Sequence, residues 1–123
     1  LLKDCPPPQL FGPANADVTL IGWGSTQGVI REAIAALAEE GITANNLQIR
    51  YLVPFHEPEV RDILQASQRT LVVENNYTGQ LARHIRVETG FTVGGKILKY
   101  DGEPFEPHHI VARVKEILHG NSR

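Results

Sequence analysis

The fold is indicated first by one strand–turn–helix unit, which reads TLVVENNYTGQLARHI from Thr70 to Ile85. Its first four residues are β-branched or apolar on both alternating faces, which predicts a strand that is buried on both sides near the middle of a sheet. Apolar side chains then recur at helical spacing, and Gly90 is the residue type that ends a helix in the left-handed conformation. A buried strand that leads through a short polar turn into an amphipathic helix is the repeating unit of a parallel α/β sheet.

The same pattern occurs at other places along the chain. Each time, a short run of strand-forming residues is followed by apolar positions at helical spacing. We predict strands at 18–21, 47–53, 70–73 and 93–100, and helices from Ser25 or Thr26 to Gly41, from Pro58 onwards, from Thr78 to Gly90, and from Pro107 to just before Gly120. This alternation predicts an α/β domain with a parallel or mostly parallel sheet that is covered by helices on both faces.

A single globular domain suits a chain of 123 residues of which 41% are hydrophobic and 21% charged. Prolines are concentrated near the start of the chain, where they favour extended backbone and cannot donate hydrogen bonds. We therefore predict a linker or edge segment at 1–16, the domain at 17–119 and a short tail at 120–123.

Composition disfavours several classes of function. A formal net charge of −2 offers no electrostatic attraction to nucleic acid or to an anionic membrane. No apolar run is long enough to span a membrane and no signal peptide opens the chain, so a cytoplasmic protein is expected. Cys5 is the single cysteine, which excludes an internal disulfide and a cysteine-rich metal or iron–sulfur site.

Candidate binding residues follow two of the predicted strands, because the loops at the carboxyl ends of parallel strands form the natural ligand crevice. The glycine-rich turn at 22–28 is spaced almost like a dinucleotide-binding loop. Its third glycine is one position late, and Val53 and Pro54 stand where an acidic residue should hold the ribose, so a tight strand-to-helix turn is favoured. The cluster at 74–77 permits two interpretations, a ligand or subunit contact and a helix cap with an Asx-type turn. The candidate interface or ligand residues are Trp23, Gly24, Ser25, Thr26, Glu74, Asn75, Asn76, Tyr77 and Gln80.

No residue is predicted to be catalytic, to bind a cofactor or to ligate a metal. The histidines do not lie at zinc-binding spacing, and the adjacent His108 and His109 should point in different directions on a helix. Thiamine diphosphate enzymes place magnesium with a Gly-Asp-Gly triplet and an asparagine pair that follows it. No such triplet precedes the pairs at 45–46 or 75–76, so the chain is not expected to hold that cofactor by itself.

Four stretches of the sequence together resemble one known family. They are GWGST at 22–26 with IREA at 30–33, LVPF at 52–55, VVENNYTGQLAR at 72–83, and ILKYDGEPF at 97–105. The chain is similar, over about residues 16–119, to the C-terminal domain of the alpha subunit of 2-oxoacid:ferredoxin oxidoreductases, most of all the 2-oxoglutarate type. The segment from Glu74 to Gln80 is specific to that family, whereas the glycine turn alone would not be.

The resemblance implies a three-layer α/β/α domain of the transketolase C-terminal type. Such a domain has a five-stranded, mostly parallel sheet with one antiparallel edge strand, for which residues 9–11 are the candidate. The assembled enzyme would convert a 2-oxoacid and coenzyme A to an acyl-CoA and carbon dioxide, and would reduce ferredoxin. Thiamine diphosphate, magnesium and an iron–sulfur cluster are implied for that complex and not for this chain.

The resemblance also implies the partners of the chain. They are the upstream domain of the same alpha subunit, the beta subunit and, through the complex, ferredoxin. The domain itself would serve in structure and assembly and would be inactive alone.

Two alternatives remain open at this point. The chain is a stand-alone α/β domain that binds a small molecule through the loops at 22–26 and 74–78, or the C-terminal domain of another thiamine diphosphate enzyme such as a transketolase or a pyruvate dehydrogenase component. Trp23 and the segment at 74–80 favour the ferredoxin-dependent family.

Overall fold

The strands and helices alternate along the chain in a computed structural model that describes residues 9–23, 26–49, 57–74, 80–98 and 106–119. The elements are β1 (Leu10–Phe11), β2 (Val18–Trp23), α1 (Gln27–Glu39), β3 (Ala44–Ile49), α2 (Glu57–Ala66), β4 (Thr70–Glu74), α3 (Gln80–Thr89), β5 (Gly95–Leu98) and α4 (Pro107–His119).

The five strands form one sheet in the order β1-β3-β2-β4-β5. Strands β2 to β5 pair in parallel, and β1 pairs antiparallel to β3, with Leu10 opposite Leu47 and Phe11 opposite Asn46. The predicted short strand at 9–11 is therefore confirmed as the antiparallel edge strand. The predicted central position of the strand at 70–73 is also confirmed, because β4 pairs with β2 on one side and β5 on the other.

Each face of the sheet is covered by two helices, which gives the three layers that were predicted. On one face, Val18 and Leu20 of β2 pack with residues of α1 and α4. On the other face, Ile21 of β2 and Leu47 of β3 pack with residues of α2 and α3. Successive residues of a strand point to opposite faces, so β2 supplies both cores and is buried along its length as far as Gly22.

Strand β3 begins three residues earlier than its predicted start at Leu47. Asparagine is depleted in strands, so the predicted strand did not include the pair at 45–46. The pair is nevertheless buried, because the Nδ2 of Asn45 donates to the carbonyl of Pro13 at 2.7 Å and that of Asn46 to the carbonyl of Leu20 at 2.9 Å. Residues 50–53 of the predicted strand lie outside the described residues.

The other observed boundaries of strands and helices differ less from the predicted ones. Strand β2 continues through Gly22 to Trp23, and β5 begins at Gly95 instead of Val93, while its predicted end at 99–100 lies outside the described residues. The helix ends predicted at Gly41 and Gly90 are confirmed, with φ of 81° and 77° respectively. Within the described part of the chain, no helix is long and apolar enough to cross a membrane.

Gly22 allows α1 to pack directly onto the end of β2. A Cβ atom at this position would clash with Thr26 Oγ1, with Ile30 Cδ1, and with Gln48 Oε1 at 2.6 Å. We expect Gly22→Ala to lower the free energy of unfolding by about 1–3 kcal/mol, because the overpacked helix must shift away from the strand. Urea denaturation of the purified chain measures this change.

Gly28→Ala is the matched control, since a Cβ on this α1 residue would meet no atom within 4 Å. Alanine in place of glycine within a helix is expected to stabilise the chain by about 0.5–1 kcal/mol. A Gly22→Ala variant as stable as the unmodified chain would contradict the close approach of α1 to β2.

Candidate functional site

The candidate site lies where the chain leaves two neighbouring strands towards opposite faces of the sheet. After β2 it continues into α1, which packs in one core, and after β4 it continues into α3, which packs in the other. In open α/β sheets such a divergence of the chain marks the position at which ligands bind. Ile21 pairs with Val72, so Trp23 and Glu74, each two residues further along, end their strands at the same level. We call this end of the sheet, marked by Trp23 and Glu74, the carboxyl edge.

The predicted site residues that the structure describes meet at the carboxyl edge. The side chains of Trp23, Thr26 and Glu74 are described, and Gln80 is described as the first residue of α3 through its backbone alone. Gly24, Ser25, Asn75, Asn76 and Tyr77 lie outside the described residues.

Thr26 holds the backbone of Trp23 in place. Its Oγ1 accepts a hydrogen bond from the Trp23 N–H at 3.1 Å and donates to the Trp23 carbonyl at 3.2 Å. Thr26 occupies the predicted N-cap position immediately before α1. Its hydroxyl, however, makes no capping hydrogen bond to the helix, so that part of the prediction is wrong. The hydroxyl instead bonds to the backbone of Trp23, and the Thr26 residue is almost fully buried.

A buried polar cluster lies beneath this turn. Asn46 Nδ2 donates to the carbonyl of Leu20 and, at 3.3 Å, to Oε1 of Gln48, and both side chains are almost fully buried. Gln48 Oε1 and Thr26 Oγ1 both face the open side of Gly22. The sequence reasoning missed Asn46 and Gln48, although their spacing of two residues is the signal of side chains on one face of a strand. The cluster supports the turn at Trp23 from within the fold.

Glu74 closes the amino end of α3. Its carboxylate accepts hydrogen bonds from the backbone N–H of Leu81 at 2.9 Å and of Ala82 at 3.4 Å, and only 6% of the residue is exposed. The first N–H groups of a helix have no partner within the helix, and negative charge is stabilising there. Of the two interpretations of the cluster at 74–77, helix capping is therefore the correct one for the carboxylate of Glu74.

The described residues do not fit the magnesium ion that the family resemblance implies for the complex. Asn45 and Asn46 are successive strand residues whose side chains point to opposite faces of the sheet, so they do not form a pair of magnesium ligands. Among the described residues, no group of three His, Cys, Asp or Glu side chains is placed to hold a metal ion. Cys5 lies outside the described residues.

The side chains of the adjacent histidines of α4 are not oriented as predicted. Their rings were expected to diverge, but the ring centroids of His108 and His109 are 4.2 Å apart. The reason is that the Nδ1 of His109 turns back to accept a hydrogen bond from the backbone N–H of Glu106 at 3.0 Å. This bond satisfies an N–H group at the start of α4 in the manner of a capping box.

Comparison with known proteins gives one family and several close relatives. Residues 16–110 match the family described as pyruvate:ferredoxin oxidoreductase core domain II. The chain is 37% identical over 110 residues to the 2-oxoacid:ferredoxin oxidoreductase 1 subunit alpha of Aeropyrum pernix, a match that covers 88% of this chain and 17% of the relative. The chain therefore spans about a sixth of the length of such curated relatives.

Solved structures resemble this chain in backbone as well as in sequence. A 2-oxoglutarate:ferredoxin oxidoreductase from Magnetococcus marinus superimposes with a TM-score of 0.84 at 34% identity, covering 94% of this chain and 20% of that chain. The alpha chain of a probable 2-oxoacid ferredoxin oxidoreductase from Thermoplasma acidophilum superimposes with a TM-score of 0.66 at 39% identity, covering 91% of this chain and 97% of that chain. A split-gene transketolase, at 17% identity, a TM-score of 0.72 and coverage of 90% and 42%, shows the same fold. The predicted resemblance and the transketolase C-terminal-like fold are thereby confirmed.

The role of Glu74 leads to a stability prediction. We expect Glu74→Ala to lower the free energy of unfolding by about 1–3 kcal/mol, because the N–H groups of Leu81 and Ala82 lose a buried acceptor. Glu74→Gln keeps one acceptor oxygen and should cost less. Guanidinium denaturation measures the loss, and faster amide hydrogen exchange at Leu81 and Ala82 locates it.

Glu88→Ala is the control for this series, since Glu88 is an exposed residue of the last turn of α3. Its effect should stay within about 0.5 kcal/mol. Unchanged stability and exchange in Glu74→Ala would show that the carboxylate does not hold α3.

Proposed function

Because this chain belongs to the family of pyruvate:ferredoxin oxidoreductase core domain II, we propose that it is this domain of the alpha subunit of a cytoplasmic 2-oxoacid:ferredoxin oxidoreductase. The assembled enzyme oxidatively decarboxylates a 2-oxoacid. The acyl group passes to the sulfur of coenzyme A, carbon dioxide and a proton are released, and the electrons pass to ferredoxin one at a time.

The observation that carries this proposal is the combined match in sequence and backbone to the Magnetococcus marinus enzyme. That enzyme was solved with 2-oxoglutarate, coenzyme A and succinyl-CoA bound. Relatives named 2-oxoglutarate synthase subunit KorA also match this chain. We therefore take 2-oxoglutarate as the 2-oxoacid and succinyl-CoA as the product.

In this proposal the domain provides structure and assembly, and the redox chemistry takes place elsewhere in the complex. The polar groups described at the carboxyl edge are already used inside the fold, since Glu74 bonds to α3 and Thr26 to the Trp23 turn. Thiamine diphosphate, magnesium and the iron–sulfur cluster are held by other parts of the complex. Thiamine diphosphate supplies the electron sink for decarboxylation when it is bound. The proposed partners are the upstream domain, the beta subunit and ferredoxin.

Reduction of a viologen dye tests the proposed reaction. The alpha subunit that carries this sequence is expressed with its partner chain and assayed anaerobically with 2-oxoglutarate, with and without coenzyme A. We expect dye reduction that requires both compounds and yields succinyl-CoA. Pyruvate in place of 2-oxoglutarate is the control for the substrate, and faster reduction with pyruvate would overturn the choice of 2-oxoglutarate. An intact, cofactor-loaded complex that reduces no dye would overturn the proposed reaction.

The proposed role in assembly has a separate test at the asparagine pair that follows β4. We propose that the loops carrying the candidate site residues face partner protein, and we expect Asn75→Ala with Asn76→Ala to shift the complex towards free subunits in analytical ultracentrifugation. Asn15→Ala, at an exposed residue before β2 on the opposite edge of the sheet, is the control and should leave assembly unchanged. Unchanged assembly and turnover in the double variant would exclude a docking role for the pair.

A further inference from the structure

Trp23 presents a large apolar surface that the domain does not use for its own core. It is the single tryptophan of the chain, and 48% of it is exposed at the carboxyl edge. The buried apolar residues described in the structure are all alanine, valine, leucine or isoleucine. Burial of the exposed part of an indole is strongly favourable, so its hydrophobic free energy remains available for binding.

The fold holds Trp23 in a fixed position. Its backbone N–H and carbonyl both bond to the hydroxyl of Thr26, and the cluster of Asn46 and Gln48 fills the space beneath. A Cβ atom on the preceding residue, Gly22, would force the side chains of Thr26, Ile30 and Gln48 to shift. An apolar side chain on a rigid backbone loses little entropy on binding, which is the property of an anchor residue in a protein interface.

The other surfaces offer less to a protein partner. Helices cover both faces of the sheet, and their outer sides carry charged residues such as Glu32, Asp62 and Glu116. The first turn of α1 beside Trp23 is uncharged, as it reads QGVI from Gln27 to Ile30. Interface centres are depleted in charge and enriched in aromatic residues, and among the described residues Trp23 and the first turn of α1 fit that composition.

From these observations we propose that Trp23 is the anchor by which this domain docks onto the remainder of the alpha subunit, an inference that rests on the proposed function. In the Aeropyrum pernix and Magnetococcus marinus relatives this region is 17% and 20% of a longer chain, so each copy of the domain there is covalently joined to the other domains of that chain. A tethered partner acts at an effective concentration on the order of millimolar, which favours it over a second copy of the domain. The surface that receives Trp23 is an apolar, uncharged pocket that contacts the indole ring.

Hydroxyl-radical footprinting read by mass spectrometry tests this docking at single residues. The 123-residue chain is compared with the intact alpha subunit, and the isolated domain is a sound reference because the matched Thermoplasma acidophilum chain consists almost wholly of this domain. We expect Trp23 to be oxidised at least about fivefold more slowly in the intact subunit, because docked anchor residues are desolvated. Phe11, which is 42% exposed at the β1 edge, is the internal control and should change by less than about twofold.

Three outcomes of the footprint would overturn the proposal. Equal oxidation of Trp23 in both samples would show that nothing covers it, and equal protection of Phe11 would show that the contact is not centred on the carboxyl edge. Protection of Trp23 in the isolated chain that rises with its concentration would assign the surface to a second copy instead.

A variant pair tests the energetic role of the anchor. We expect Trp23→Ala to raise the rate of proteolytic cleavage between this domain and the rest of the intact subunit by at least about tenfold. Val87→Ala, at an exposed apolar residue of α3, should leave that rate unchanged. An unchanged melting temperature of the isolated Trp23→Ala domain establishes that the variant folds. A cleavage rate equal to that of the unmodified subunit would overturn the anchor role.

The viologen assay separates this inference from the proposed function. Full turnover of a complex in which Trp23 is freely oxidised would refute the docking and leave the reaction standing. Protection of Trp23 in a cofactor-loaded complex that does not turn over would support docking and refute the reaction.

Discussion

The close packing of α1 against the end of β2 at Gly22 is the contact on which the rest of this structure depends. Strand β2 is the centre of the sheet and contributes side chains to both cores. If α1 stood further from it, the aliphatic contacts of Ile30 and the turn at Thr26 would both be lost. Because Gly22 has no Cβ atom, the packing of Ile30 in the core and the position of the turn at Thr26 can both be accommodated at this one residue.

The carboxyl edge uses its polar groups to support the backbone. In many α/β proteins the groups at this end of the sheet bind a ligand, because the crevice is open and the helix amino ends carry partial positive charge. Here the carboxylate of Glu74 fills the amino end of α3, and the hydroxyl of Thr26 holds the Trp23 turn. What the described part of this edge offers outward is an exposed indole, which suits contact with protein better than recognition of a polar small molecule.

Much of the fold was predictable from the sequence, since each strand–helix pair has a clear hydrophobic period. The run at 70–73 is apolar on both faces, and this alone identified a central strand. Gly41 and Gly90 marked the helix ends correctly because the left-handed conformation at a helix terminus favours glycine. The start of β3 was predicted three residues late because asparagine is depleted in strands. Only in the folded chain do the Nδ2 groups of Asn45 and Asn46 find the carbonyls of Pro13 and Leu20 as hydrogen-bond acceptors.

The sequence by itself determined the α/β alternation, the family resemblance, and the positions of Trp23, Thr26 and Glu74 at the ends of their strands or the start of a helix. These follow from hydrophobic period, glycine placement and local motifs, which are properties of neighbouring residues. Only the tertiary structure decided that Glu74 bonds to α3, that Thr26 holds Trp23, and that Asn46 and Gln48 lie beneath them. The physical reason is that burial of a polar group costs free energy unless it gains a hydrogen-bond partner, and the partners of these groups are brought close only by strand pairing and helix packing.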